Sequence, residues 1–147
     1  MTVFDFRTEL LLPRPIDAVF AFFGDAHNLQ QITPPWLDFQ ILTPAPIAMH
    51  PGTIIDYRLK LHGVPFRWRT KITTWEPPHR FVDTQQSGPY RQWIHTHTFE
   101  TRPDGTLCRD HVAYAVLGGR LVNRLFVRPR VERIFAYRHE AMLRLLG

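Results

Sequence analysis

The segment Gly88-Pro89-Tyr90-Arg91-Gln92-Trp93-Ile94-His95-Thr96-His97-Thr98-Phe99-Glu100 alternates in the kind of side chain it carries. Successive residues of an extended chain point to opposite faces, so Trp93, His95, His97 and Phe99 share one face while Gln92, Thr96, Thr98 and Glu100 lie mostly on the other. One face is therefore bulky, aromatic and imidazole-bearing. A closed core more often carries Val, Ile and Leu in such positions. Large rings mixed with titratable nitrogens point instead to a wall of a semi-apolar cavity that needs a few hydrogen-bonding groups. The segment predicts a strand that faces a ligand.

The same period of two recurs outward from this strand. Tyr57, Leu59 and Leu61 alternate with Arg58 and Lys60. After the turn His62-Gly63-Val64-Pro65, Phe66, Trp68 and Ile72 face one way and Arg67, Arg69 and Lys71 the other, the pattern of a sheet with one solvated face. Pro77-Pro78 marks the next turn, and strands are predicted over 80–86, 90–102 and, past Pro103-Asp104-Gly105, 106–117. At the N-terminal side, residues 3–12 alternate as a half-buried strand. Pro13 ends it, and Ile16, Val19, Phe20 and Phe23 recur at helical spacing up to Gly24. A second short helix over 26–32 is stopped by Thr33-Pro34-Pro35, an extended stretch resumes over 36–42, and the Pro-rich 43–52 forms a loop. Beyond Gly118-Gly119 a long helix is expected, with Val127, Val131, Ile134, Phe135, Met142 and Leu145 in one stripe at about 100° per residue. Pro129 either kinks this helix or marks the start of its straight part.

The order is one strand, two short helices, six strands and a long helix. A strongly bent antiparallel sheet with the helix across its concave side buries every apolar face most simply, an α+β architecture. At 147 residues the chain fits one domain, 1–147. Its 44% hydrophobic and 13% aromatic content exceeds that of a disordered chain, and no run approaches the roughly 18 apolar residues of a membrane span. The N-terminus lacks the pattern of a secretory signal, and Cys108 is the one cysteine, so a reducing cytoplasmic setting is expected. Sixteen of the 18 basic residues are arginines. Seven of them lie within 120–144 against Glu132 and Glu140, so that segment alone matches the formal net charge of +5. It reads as a solvated helix face or as a contact for an anionic membrane or acidic partner; nucleic acid is not the expected partner.

Three groups of residues carry the resemblance of this chain to known proteins. They are Leu12-Pro13-Arg14-Pro15 leading into Val19-Phe20-Ala21-Phe22-Phe23, Gly88-Pro89-Tyr90 leading into Trp93, His95, His97 and Phe99, and Ile134-Phe135-Ala136-Tyr137-Arg138-His139. With the element order they resemble the START-like or SRPBCC superfamily of helix-grip proteins, which includes polyketide cyclases, lipid carriers and plant allergens, and within it a bacterial ligand-binding branch. The resemblance implies a curved seven-stranded antiparallel sheet wrapped around the C-terminal helix, with a deep pocket between them. Carried over by position, the pocket residues are Tyr57, Leu59, Phe66, Trp68, Trp93, His95, His97, Phe99, Val112 and Tyr114, with Phe135, Arg138 and Met142 from the helix. No catalytic constellation transfers.

His95 and His97 project from one face and could hold a metal if a third ligand, Asp110 being the evident one, came from the next strand. No further Cys or His cluster supports this, and no metal is expected. Otherwise the histidines bond a ligand, water or Asp110, or serve structure alone. Arg138 interrupts the apolar helix stripe, so its guanidinium either pairs with Asp110 or a ligand carboxylate, or sends its head to water from the pocket mouth. Ser87 is the one serine and lacks a nucleophile elbow, and no phosphate-cradling glycine loop is present, so no nucleotide cofactor is expected. The leading expectation is a noncatalytic module that binds a hydrophobic or amphipathic small molecule such as a lipid, quinone or polyketide-like compound. The alternatives are a cyclase or hydratase-type enzyme using His95 or His97 as acid or base, and an interaction protein using the arginine-rich helix.

Overall fold

A computed structural model describes residues 1–147. Seven strands form one antiparallel sheet: β1 (Phe4–Leu12), β2 (Gln40–Ile41), β3 (Ile54–Leu61), β4 (Val64–Glu76), β5 (Arg80–Ser87), β6 (Gln92–Arg102) and β7 (Gly105–Ala115), in the order β1-β7-β6-β5-β4-β3-β2. Strands β3 to β7 follow one another as hairpins, and β1 closes on β7 in the register Phe4↔Tyr114 to Leu12↔Thr106. Helix α1 (Ile16–Gly24) and a 3₁₀ segment (Ala26–Ile32) lead from β1 toward β2. Helix α3 (Arg128–Leu146) lies in the concave side of the sheet. The expected α+β helix-grip architecture is present.

Two stretches differ from the sequence reading. Residues 36–42 were expected to be extended, but Pro35–Leu37 is a 3₁₀ turn and only Gln40 and Ile41 pair, with Arg58 and Tyr57. Pro34 is the extended residue before the turn and Pro35 opens it with its ring-fixed φ, and Asp38 then reverses the chain at φ 45°, which leaves room for two residues of strand. At the other end, Gly118 and Gly119 supply φ values of +92° and +65° for the turn off β7. A short helix α2 (Gly119–Val122) passes through a π-helical turn (Asn123–Val127) into α3. Pro129 thus stands in the first turn of the straight helix. Having no N–H, it cannot accept the role of donor to the Leu125 carbonyl, and the wide turn absorbs the mismatch, with Arg128 N bonding Asn123 O.

The concave face is packed in two bodies. Leu12, Val19, Phe20, Phe81, Phe99, Cys108 and Met142 form one, where α1 and the C-terminal half of α3 meet β5–β7. Phe6, Val112, Tyr114, Val131 and Phe135 form the other, under the N-terminal half of α3. Each large side chain so buried contributes roughly 1.5–3 kcal/mol. Between these bodies and the β3–β4 edge the concave face is left unfilled.

Candidate functional site

The unfilled space has two lobes. The larger, about 150 Å³, is walled by Leu59, Trp68, Tyr90, Trp93, Ile134 and Phe135. The smaller, about 50 Å³, lies under α1 and the 3₁₀ segment among Phe22, Phe23, Ile32, Ile55, Ile72 and Phe81. Leu29, Tyr57, Asp83, His97 and Arg138 border both. Two apolar chambers therefore meet at a partition that is mostly polar.

Cross-strand register builds that partition. Asp83 of β5 faces His95 of β6, and His97 faces Asp110 of β7. The hydrogen bonds run on the diagonals: His95 Nε2 donates to Asp110 Oδ1 at 2.7 Å and His97 Nε2 to Asp83 Oδ2 at 2.6 Å. The other ring nitrogens stand farther off, His97 Nδ1 at 3.5 Å from Asp110 Oδ1 and His95 Nδ1 at 3.9 Å from Asp83 Oδ2. Each imidazole is thus held between the same two carboxylates, closing a ring of four groups. The imidazoles stack at 3.6 Å between centroids, and Phe81 stacks on His97 at 4.0 Å.

Arg138 enters this ring from α3. Its side chain is 7% exposed and its Nη2 is 3.8 Å from Asp110 Oδ1, an ionic contact too long for a strong hydrogen bond. The rings of Phe23 and Phe135 each lie 5.7 Å from its guanidinium carbon, and its buried Nε has no hydrogen-bond partner. Of the two sequence alternatives for Arg138, the pairing with Asp110 is present and the head does not reach out to water.

Burial sets the protonation states. It drives His97 down to about 4, helped by the neighbouring His95 and opposed by Asp83 and Asp110. For Asp110 burial is the largest influence and pushes its carboxyl up, but the hydrogen bond from His95 and the charges of His95, Arg138 and His97 outweigh it and hold the group below the usual carboxylate range. Asp83 is likewise pushed up by burial and brought lower by His97, His95 and Arg138. Burial, then the charge of Asp83, raises the Tyr57 phenol, which stays a neutral donor. The carboxylates of Asp83 and Asp110 thus stand against the one guanidinium of Arg138, and burial disfavours the charged form of His97. Such a cluster suits a neutral ligand whose acceptor oxygen meets Arg138, and it can hand a proton to that ligand or take one away.

The structure places the sequence candidates in three groups. Tyr57, Leu59, Trp68, Trp93, His95, His97, Phe135 and Arg138 line the space. Phe99 and Met142 are packed in the first core body, Val112 and Tyr114 in the second. Tyr114 turns its hydroxyl to the buried Asn123 at 2.7 Å. Phe66, opposite Leu59 near the tip of the β3–β4 hairpin, stays half-buried outside both lobes. Asp110 was the carboxylate weighed as a third metal ligand and does lie beside both imidazoles, and the Asp83 oxygen also clusters with both histidines, its three ligand atoms lying within 4.8 Å of one another. These residue types suit a metal. The near-parallel ring planes and the short bonds to carboxylate direct the nitrogens apart, toward separate acceptors. Sequence reasoning missed Asp83, although its two-residue spacing from Phe81 put a charge on an apolar face. Cys108, which burial and then Asp110 push up to about 12, is an inert thiol.

Comparison with known proteins agrees with this geometry. Residues 12–142 match the family model described as polyketide cyclase/dehydrase and lipid transport. No curated protein matches the chain in sequence. Among solved structures, protein Ms6760 from Mycobacterium smegmatis superposes with TM-score 0.75 at 14% identity, over 97% of this chain and 90% of that one. Protein CV1439 from Chromobacterium violaceum gives 0.76 at 14% identity, over 97% of each chain. The major latex-like protein 151 of Panax ginseng gives 0.73 at 10% identity, over 99% and 98%. At such identities these likenesses concern the fold, a helix grip around a central space. With most of its length matched by the family model, the chain belongs to the polyketide cyclase/dehydrase and lipid transport family of the SRPBCC superfamily.

Proposed function

We propose that this protein binds a hydrophobic or amphipathic small molecule, of lipid, quinone or polyketide-like character, in the two-lobed space between sheet and α3. The observation that carries the reading is the buried Arg138 Nε, which has no partner where two apolar chambers meet. A buried donor without an acceptor costs about 1–3 kcal/mol, a cost that a ligand oxygen at this point would remove. Aromatic walls from Trp68, Trp93 and Phe135 supply apolar contact, and Tyr57 adds a second donor. Native mass spectrometry of freshly purified protein, followed by solvent extraction, tests this. A stoichiometric apolar adduct bearing an acceptor oxygen is expected, lost in Arg138→Met with the fold retained by circular dichroism. An adduct held undiminished by Arg138→Met would rule out the anchoring role.

The ring of two carboxylates and two imidazoles favours a second reading, a cyclase or hydratase-type enzyme. In it the histidines move a proton to or from a bound carbonyl compound while Arg138 holds the oxygen. His95→Gln and His97→Gln separate the readings. A carrier keeps its extracted adduct in both variants, and an enzyme keeps the adduct but loses turnover of it.

A further inference from the structure

The segment between β7 and α3 exposes a patch of apolar side chains. Leu117, Leu121, Leu125 and Phe126 are 71%, 64%, 50% and 57% exposed. Leu121 and Leu125 stand four apart on the outward side of the helical turns, and Leu117 joins them from the glycine turn that precedes α2, so the exposed face is apolar, the reverse of a solvated helix. Beside them Arg120 and Arg124 are exposed and make no ion pair, and from His111 to Val131 the chain contains no carboxylate. Below the patch the segment is fixed to the body of the protein. Asn123 is buried against the Tyr114 hydroxyl, and Arg128 lies over Phe6 and donates to the Asp5 carbonyl. The surface is therefore held in place with its leucines outward.

This patch adjoins the ligand space. Phe126 and Val122 border a shallow apolar groove of about 190 Å³ whose inner wall is Leu61, Tyr90 and Ile134. The same three residues line the larger lobe. Arg130 Nη2 donates to His62 Nδ1 at 2.7 Å and ties α3 to the β3–β4 hairpin across this groove. Leu117 and Phe126 line this groove, so the shared wall of Leu61, Tyr90 and Ile134 stands between them and the chamber.

We propose that Leu117, Leu121, Leu125 and Phe126, flanked by Arg120 and Arg124, dock the protein on an anionic lipid bilayer with the larger lobe facing the membrane. Leucine and phenylalanine insert at the acyl boundary while arginines meet lipid phosphates, and the two contributions add. A second copy of the chain is a poor occupant, because a two-fold contact through this patch would bring Arg120 and Arg124 against their own copies with no carboxylate in the segment to offset them. The inference goes beyond small-molecule binding and does not depend on it.

Cosedimentation of the full chain with phosphatidylcholine vesicles, with and without phosphatidylglycerol, tests the proposal. Binding is expected to the anionic vesicles, to fall steeply as salt rises, and to weaken roughly fivefold for each of Arg120→Ala and Arg124→Ala. Leu121→Asp combined with Leu125→Asp is expected to abolish it. Both positions are exposed, so the circular dichroism spectrum and melting temperature should stay unchanged. Equal binding to the two vesicle types, wild-type binding by the double leucine variant, or a concentration-dependent dimer that this variant dissolves would each overturn the proposal. Vesicle binding is read without any cavity ligand, so its failure and the failure of the small-molecule reading are separate results.

Discussion

Asp110 and His111 are neighbours on β7, and each forms a carboxylate–imidazole pair of 2.7 Å, on opposite faces of the sheet. On the concave side His95 and Asp110 are each 7% exposed; on the convex side His111 and Asp5 are 33% and 56% exposed. The chemistry and the distance are the same, and the solvent is not. On the convex face water screens the charges and solvates whatever a mutation leaves behind, so the pair is nearly dispensable. On the concave face no water substitutes, and removal of one partner strands the other. The difference identifies which polar groups organise this molecule: the five around the ligand space, Asp83, His95, His97, Asp110 and Arg138, and not the more numerous surface pairs.

Asp110→Ala breaks the comparison hardest. It takes the acceptor from His95 and the nearest counter-charge from Arg138 while both remain buried. A loss of about 3–5 kcal/mol is expected, read as the shift in urea denaturation midpoint at neutral pH with the slope unchanged. A loss within experimental scatter would mean that water enters the cluster in solution.

The second test uses pH. Burial brings His97 from 6.5 to about 4. Between those values the unfolded chain binds a proton that the native one rejects, so stability falls as the pH drops through that window, by roughly 3 kcal/mol in all. Asp83 and Asp110, held below the usual 3.8, act in the same direction at lower pH, their contribution present above that value and lost as the pH falls toward their native values. His97→Gln keeps a donor for Asp83 and removes the titration. Its stability should vary much less between pH 6.5 and 4, with the residual slope from the half-buried His139, which burial also pushes down. An undiminished slope in His97→Gln would place the proton uptake on other residues.

The same contrast explains what could be read from the sequence. Strands β3 and β4 were legible because their convex residues are mostly charged and their concave ones apolar, and β6 because rings and imidazoles alternate with smaller polar residues, so the period of two survives in composition. Two-residue β2 was not, since Pro34, Pro35 and the left-handed Asp38 decide local geometry that a hydropathy pattern does not carry. Within the site, Trp93, His95 and His97 could be placed on the cavity side from β6 alone. The next residue on that face, Phe99, could not be separated from them. It is withdrawn from the space by Phe20 and Phe23 of α1, at 5.4 and 5.3 Å, a contact made across tertiary distance. Asp83 escaped notice for a related reason. Its role depends on the register that sets it against His95 and on the diagonal bond to His97, and neither can be read from β5 by itself.

The smallest effect is expected on the convex face, and it sharpens the comparison most. Hydrogen bonding from His111 leads the influences that lower the Asp5 carboxyl, which stands well exposed. In Asp5→Asn the backbone carbonyl that accepts from Arg128 Nη1 is retained, so β1 keeps its tie to the helix. The denaturation midpoint in physiological salt should then coincide with that of the wild type, since an exposed pair is screened and its residual charge remains hydrated. A loss comparable to that of Asp110→Ala would show that this face is covered in solution. The convex sheet, with its row of Arg109, Glu9 and Glu100, would then itself be an interface.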